Sequence, residues 1–166
     1  MATDFVKNNE KYAKDQHKPN LPIPPSKKLL IVTCMDARID TFASLGLEQG
    51  ECHVVRNAGG CAQDAIRNIV ISQRLLGTRE IAVFHHTGCG MLTFTTDQLK
   101  DILRKDADDA AKAEVDKIGS FLEFKDLEES VKEDVKFLKN HPLVLKETKV
   151  SGWIFRVEDG KVVQVA

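Results

Sequence analysis

Three short apolar runs alternate with segments of helical periodicity, and this alternation constrains the fold more than any other feature of the chain. The runs cover residues 29–33, 52–55 and 80–85, and their length and β-branched residues are typical of buried strands. Between the second and third runs, apolar residues recur at helical spacing over 62–76 and stop at Gly77. Strands that alternate with helices predict an α/β fold whose central sheet is mainly parallel and flanked by helices.

The C-terminal half contains further predicted helices and ends in two predicted strands. We expect a helix from Thr95 or Thr96 to about residue 112, a polar loop over 112–120, and an amphipathic helix over 127–138. Residues 153–157 and 161–165 then flank Asp159-Gly160, a strong signal for a two-residue turn. The sequence therefore predicts an antiparallel hairpin at the C-terminus.

The N-terminal segment has a different character from the rest of the chain. Residues 4–17 can form a helix, but its apolar face is thin, and the Leu-Pro-Ile-Pro-Pro run of 21–25 forbids helix. We therefore expect one domain over 1–166, with a helical arm and proline-rich linker over 1–25 and the folded core over 26–166. The arm is expected to lie on another surface.

Composition excludes several classes of protein. The chain has 166 residues, 42% of them hydrophobic, and a net charge of −1, so it lacks the basic excess of a protein that binds nucleic acid or an anionic membrane. No apolar run approaches the roughly 20 residues of a membrane span, and the N-terminus lacks the apolar core of a secretory signal. We expect a cytoplasmic protein, in which the four cysteines are packed, catalytic or metal-binding rather than disulfide-bonded.

Metal-binding side chains follow two of the predicted strands. Cys34 comes directly after the first run, and His86 and Cys89 follow the third. The carboxyl ends of parallel strands meet at one edge of a sheet, so these residues are expected to converge there. Two thiolates and one imidazole suit Zn²⁺, and three protein ligands leave a fourth position open, as in catalytic sites. His85 is an alternative to His86 as the ligand.

An acidic and a basic residue follow the first ligand closely. Asp36 and Arg38 lie two and four residues beyond Cys34, so neither side chain can be far from the metal. Arg38 can hold Asp36 through a bidentate pair. The carboxylate would then either orient a zinc-bound water or become the fourth ligand and close the site.

Three more positions near the predicted site have less specific interpretations. Cys61 is expected to be structural rather than a reactive thiol, and Arg56 is expected to be a structural ion-pairing residue rather than a catalyst. Gly59 and Gly60 follow the second strand, where they either serve backbone geometry or present N–H groups to a substrate.

The chain resembles the β-class carbonic anhydrases in three motifs. Residues 34–38 (Cys-Met-Asp-Ala-Arg) resemble the family's Cys-x-Asp-x-Arg element, residues 56–59 its Arg-Asn-Ala-Gly turn, and residues 86–90 its His-x-x-Cys-Gly element. The resemblance runs from about residue 28 to the end. It is greatest to the small clade that also includes hydrolases of carbonyl sulfide and carbon disulfide.

The resemblance implies that Zn²⁺ binds to Cys34, His86 and Cys89, and that zinc-bound hydroxide hydrates carbon dioxide reversibly to bicarbonate. It also implies an Asp36–Arg38 catalytic dyad and a pocket for a small linear triatomic substrate. The implied pocket residues are Met35, Asn57, Ala58, Gly59, Gly60 and Gly88. It further implies a homodimer or dimer of dimers, with the arm on the partner and the pocket at the interface.

One departure from the family pattern concerns the substrate. Many members of this clade carry an aspartate where this chain has Gly88. Loss of that carboxylate would alter proton transfer or favour a less polar substrate, so carbonyl sulfide hydrolysis is the alternative activity. A third hypothesis is a structural zinc or redox module, in which Cys34 and Cys89 form a reversible thiol pair and Asp36 is dispensable.

Overall fold

A computed structural model describes residues 3–166, in which helices flank a five-stranded sheet. The strands are β1 Leu29–Cys34, β2 Cys52–Asn57, β3 Glu80–His86, β4 Lys149–Phe155 and β5 Val162–Gln164. The helices are α1 Phe5–Asp15, α2 Thr41–Leu45, α3 Ile66–Leu76, α4 Thr96–Arg104, α5 Asp109–Lys117 and α6 Leu127–Asn140. Met1 and Ala2, the start of the expected arm, lie outside the described residues.

The sheet has the strand order β2-β1-β3-β4-β5. The pairs β2–β1, β1–β3 and β3–β4 are parallel, and β4–β5 is antiparallel. The predicted α/β fold with a mainly parallel sheet and an antiparallel C-terminal strand is therefore confirmed. Because Thr33 of β1 pairs with Phe84 of β3, the next residues of both strands emerge at the same edge.

Helices α3 and α6 cover one face of the sheet. They bury a cluster of aliphatic side chains from β1 and β3, including Leu30, Val32, Ile81 and Val83, beneath Ile69 and Leu138. This burial is the main stabilising term of the fold, since each such side chain contributes roughly 1.5–3 kcal/mol when removed from water. On the opposite face, Phe84 stacks on Trp153 with ring centroids 5.9 Å apart.

Gly152 of β4 allows α6 to pack closely on the sheet. A Cβ atom at this position would lie 2.5 Å from Cγ1 of Val131 and 2.8 Å from Cγ2 of Val135. Neither distance is compatible with van der Waals contact, so the absence of a side chain sets the separation between α6 and β4.

The segment 95–120 differs from its prediction. A single helix to residue 112 followed by a loop over 112–120 is wrong, because α4 ends at Arg104 and α5 runs from Asp109 to Lys117. Asp108 causes the break: its side chain accepts a 2.8 Å hydrogen bond from the Ala111 N–H and caps a new helix.

Three smaller differences concern element ends. The five-residue helix α2 was not predicted, although Asp40 caps its start and Gly46, in the left-handed conformation, ends it. Helix α3 begins at Ile66 rather than at 62. The prediction of a two-residue turn at Asp159-Gly160 is wrong. Strand β4 ends at Phe155 and β5 begins at Val162, so the connection is longer and covers 156–161.

The N-terminal helix makes few contacts with the rest of the chain. None of the α1 side chains is buried, and Phe5 and Val6 are 77% and 76% exposed. The Tyr12 hydroxyl donates a 3.2 Å hydrogen bond to Gln49, which fixes the helix at one point. Within residues 3–166, no helix combines the length and apolar character that crossing a bilayer would require.

Candidate metal centre

The predicted ligands converge at the carboxyl edge of the sheet. Cys34 is the last residue of β1, His86 is the last residue of β3, and Cys89 follows in the next turn. All three are buried, and their Sγ and imidazole nitrogen atoms lie within 4.8 Å of one another. Strand order produces this cluster, because β1 and β3 are hydrogen-bonded neighbours. Such a set of two sulfurs and one nitrogen suits zinc.

The orientation of His86 fits a metal ion. Its Nδ1 lies 2.9 Å from the carbonyl oxygen of Thr87, and since a carbonyl can only accept, Nδ1 carries the proton. The other nitrogen, Nε2, is one of two buried side-chain nitrogen or oxygen atoms in the described residues that lack a hydrogen-bond partner. A buried unpaired acceptor is costly, and a metal ion among the three side chains would satisfy it. The residues present therefore fit zinc.

The hydrogen bond between Cys34 and Cys89 favours the thiolate form of one of the two cysteines. A hydrogen bond with the Cys89 thiol lowers the pKa of Cys34 well below its usual range. The same hydrogen bond, together with burial, raises the pKa of Cys89. Thiolate is the form of cysteine that binds metals, so the electrostatics of the pair suit the proposed role.

Asp36 and Arg38 form a bidentate pair beside these ligands. Arg38 Nε lies 2.9 Å from Oδ1 of Asp36, and Nη2 lies 2.7 Å from Oδ2. The backbone N–H of Arg38 donates to Oδ1 as well, at 2.9 Å. These contacts hold the pKa of the Asp36 carboxyl well below its usual range, with the Arg38 side chain as the largest cause. Oδ2 also lies 3.7 Å from His86 Nε2, so the carboxylate borders the ligand cluster.

Arg56 holds the backbone that carries this pair. Its Nε donates to the carbonyl of Cys34 at 3.0 Å, and its Nη2 donates to the carbonyl of Asp36 at 2.6 Å. The expected ion-pairing role of Arg56 is therefore wrong: its side chain binds backbone carbonyl groups, and none of the ion pairs within residues 3–166 includes it.

The turn after β2 closes against the same edge of the sheet. The side chain of Asn57 bonds to both the N–H and the carbonyl of Cys61, at 2.8 and 2.9 Å. A Cβ at Gly60 would lie 2.7 Å from the Phe84 carbonyl and 3.0 Å from the Cys34 nitrogen. Gly60 also has a φ of +75°, so this close approach to β1 and β3 requires glycine.

A cavity of about 580 Å³ opens above the ligand cluster, and most of its lining is apolar. Its walls are formed by Cys34, Met35, Asp36, Ala37, Ala58, Gly59, Cys89, Gly90, Met91, Phe94, Leu99 and Phe121. Of the predicted pocket residues, Met35, Ala58 and Gly59 line it. Phe94, Leu99 and Phe121 were missed, because they lie outside the three motifs and only tertiary packing brings them here.

The remaining predicted pocket residues, Asn57, Gly60 and Gly88, do not line the cavity. Asn57 and Gly60 shape the turn beneath the cavity without lining it. Gly88 has a φ of +62°, and its carbonyl oxygen accepts a 3.1 Å hydrogen bond from Arg38 Nη2. A Cβ at Gly88 would meet only Arg38 Nη1, at 3.9 Å.

His85 and Cys61 lie behind the site. His85, the alternative ligand, contacts Ser130 through Nδ1 at 2.7 Å and Asp134 through Nε2 at 3.1 Å, so both ring nitrogens have other partners. Burial raises the pKa of the Cys61 thiol to about 12, which favours the structural interpretation of this residue.

Comparison with known proteins gives a consistent picture. The family model "Carbonic anhydrase" matches residues 29–162. β-Carbonic anhydrase 1 of Mycobacterium tuberculosis is 43% identical over 166 residues, covering 99% of this chain and 98% of that protein. A carbon disulfide hydrolase of Acidithiobacillus thiooxidans is 35% identical over 153 residues, covering 83% of this chain and 77% of that protein.

Solved structures of similar proteins share the whole fold. A carbonic anhydrase from Glaciozyma antarctica is 51% identical and superposes with a TM-score of 0.95, covering 100% of both chains. A carbonic anhydrase from Streptococcus mutans is 42% identical, with a TM-score of 0.89 and the same coverage.

Proposed function

The chain belongs to the β-carbonic anhydrase family, and on that premise we propose that it is a zinc enzyme that reversibly hydrates carbon dioxide to bicarbonate. The observation that carries the proposal is the buried Cys34–His86–Cys89 cluster, in which His86 Nε2 lacks any other partner in the described residues. Zinc bound there would supply Lewis acidity, which lowers the pKa of a water molecule toward neutrality.

The chain's own residues would orient this water and the substrate. Asp36 is the acceptor beside the ligands, and Arg38 fixes its carboxylate so that one oxygen faces the cluster. Both oxygens are engaged by Arg38, which favours a carboxylate that orients water over one that serves as a fourth ligand. The reaction adds water to carbon dioxide and gives bicarbonate and one proton, which passes to solvent. The apolar cavity suits a substrate without charge.

The experiment combines metal analysis with stopped-flow hydration of carbon dioxide. We expect one zinc per chain, rapid hydration, and loss of both in Cys34→Ser and His86→Ala. The buried Cys52→Ser is the matched control, because Cys52 lies at the start of β2, far from the carboxyl edge. Negligible hydration by the zinc-loaded protein would overturn the proposal.

Carbonyl sulfide hydrolysis is the second candidate. The same residues would direct water to the carbon of carbonyl sulfide, giving hydrogen sulfide and carbon dioxide. Two observations favour it: the lining of the 580 Å³ cavity is mostly apolar, and Gly88 places no carboxylate beside Arg38. Sulfide release measured on the same preparation distinguishes the two candidates, since fast release with negligible hydration would make this the main activity.

We also propose a homodimer or a dimer of dimers in which α1 lies on the partner chain. The exposed Phe5 and Val6 support this, because exposed apolar side chains on a helix without a buried face suit an interface. Light scattering after chromatography would test it: a monomer at micromolar concentration contradicts the proposal. The cytoplasmic location stays a prediction from composition.

A further inference from the structure

Thr87 lies between the candidate ligand His86 and Gly88, and three hydrogen bonds join it to the C-terminal part of the sheet. Its N–H donates to the Phe155 carbonyl at 3.0 Å. Its hydroxyl oxygen accepts from the Val157 N–H at 3.0 Å and donates to Glu158 Oε2 at 2.6 Å. The end of β4 thus holds the backbone of Thr87, and the connection between β4 and β5 holds its side chain.

The carbonyl of Thr87 orients His86. It accepts the Nδ1 proton at 2.9 Å, and this contact directs the unprotonated Nε2 toward Cys34 and Cys89. Groups that hold the second nitrogen of a metal-binding histidine commonly alter metal affinity by about 10- to 100-fold. Any group that fixes the Thr87 peptide therefore influences how well His86 is placed.

Glu158 has such a position. Its side chain is about half exposed, at 52%, and Arg156 Nε lies 3.3 Å from its second oxygen. The carboxylate is thus held between a guanidinium and the Thr87 hydroxyl. Because that hydroxyl accepts from Val157, its single proton is free to be donated to Glu158.

We propose that Glu158 is a positioning residue for zinc binding, which acts on His86 through Thr87; this inference rests on the proposed function. Glu158 lies outside all three motifs of the site and is 71 residues from Thr87 in the chain. It does not touch the ligand cluster, so its effect is one of orientation rather than of catalysis.

The test measures zinc dissociation constants by competition with a chromophoric chelator. We expect Thr87→Val to weaken zinc binding about 10-fold or more, and Glu158→Ala about 3- to 10-fold, since it acts one contact further out. Because the two residues act in series, the double variant should bind zinc no more weakly than Thr87→Val alone. Thr87→Ser and Glu158→Gln, which keep a hydroxyl and an oxygen acceptor, should stay close to the parent.

Two further measurements separate positioning from general stability. The visible spectrum of the cobalt-substituted protein reports ligand geometry, and it should change in Thr87→Val and Glu158→Ala only. Asp159→Asn is the matched control, because Asp159 pairs with Arg156 in the same connection and makes no contact with Thr87. A lower unfolding temperature with unchanged zinc affinity and an unchanged cobalt spectrum would overturn the inference.

The outcomes also distinguish this inference from the function on which it rests. If the parent chain does not bind zinc, the proposed function fails. If the parent binds zinc and Glu158→Ala binds it equally well, or if the effects of Glu158→Ala and Thr87→Val add, only the positioning role fails.

Discussion

Arg38 Nη2 lies 3.1 Å from the carbonyl oxygen of Gly88, and the same nitrogen lies 2.7 Å from Asp36. One guanidinium therefore joins the segment after β1 to the segment after β3. These are the two segments that carry Cys34, His86 and Cys89. The conformation of the Asp36 carboxylate and the spacing of the two segments are coupled through this side chain.

Replacing Arg38 with lysine should separate charge from geometry. Arg38→Lys keeps the positive charge but cannot make the bidentate contact or reach Gly88 at the same time. We expect kcat for carbon dioxide hydration to fall about 10-fold or more while zinc content is unchanged. Arg104→Lys, at an exposed Arg–Asp pair between α4 and α5, is the control and should match the parent. Parental kcat in Arg38→Lys would contradict the role of the pair.

The variant Asp36→Ala tests the hypothesis of a structural zinc site or a redox thiol pair. That hypothesis requires zinc or a thiol pair but gives Asp36 no role. We expect Asp36→Ala to retain zinc and to lose most of its hydration activity in stopped-flow measurements. Full activity in this variant would favour the structural or redox interpretation.

A carboxylate at position 88 should compete for Arg38. In Gly88→Asp the new side chain would start 3.9 Å from Nη1 of Arg38, with no other atom near its Cβ. We expect it to contact this guanidinium and, since its absence favours carbonyl sulfide, to raise the rate of hydration relative to sulfide release several-fold. Gly88→Asn is the matched control, since both side chains tolerate a φ of +62° at a cost of about 1 kcal/mol in unfolding free energy. Equal rates in the two variants would show that the charge has no effect.

The Cys61 thiol should be unreactive in the folded protein. Burial raises its pKa to about 12, so at pH 8 the group is almost entirely protonated, and the reactive thiolate is scarce. We expect iodoacetamide at pH 8 to leave Cys61 unmodified in the native protein and to modify it after unfolding in guanidinium, as read by mass spectrometry. Rapid modification of the native protein would contradict the structural interpretation.

Adding a methyl group at Gly152 should destabilise the packing of α6 on β4. The new Cβ would lie 2.5 Å from Val131, so we expect Gly152→Ala to lower the unfolding free energy by about 1–3 kcal/mol. Gly119→Ala is the control, because a Cβ there meets no atom within 4 Å. In denaturant titrations, Val131→Ala should relieve part of the loss, so that the double variant is more stable than the sum of the single effects predicts. Strict additivity would contradict the proposed clash.

The metal ligands could be predicted because they depend on a rule of sheet topology. Cys34 and His86 each end a run whose apolar, β-branched composition predicts a strand, and parallel neighbours end at one edge. The break between α4 and α5 was harder, because Asp108 lies within a segment whose periodicity continues through it. A local side-chain hydrogen bond to Ala111 outweighs that periodicity.

The walls of the site depend on contacts that no local pattern encodes. Phe94, Leu99 and Phe121 reach the cavity from two separate segments, and Glu158 reaches Thr87 from the end of the sheet. Such contacts depend on how α4 and the β4–β5 connection pack against the rest of the chain. Their residue types are ordinary for an apolar face and for a charged loop, so the sequence alone carries no signal for them.

Because Cys34 and His86 end two strands joined by a continuous ladder, their separation is maintained by the core rather than by the metal. The chain should therefore fold without zinc and bind the metal in a separate, later step. On the proposed function, a folded chain without zinc would be inactive and would regain activity when it binds the metal, without new synthesis. Abundance of this protein would then be a poor measure of its catalytic capacity, and the supply of metal would set that capacity instead.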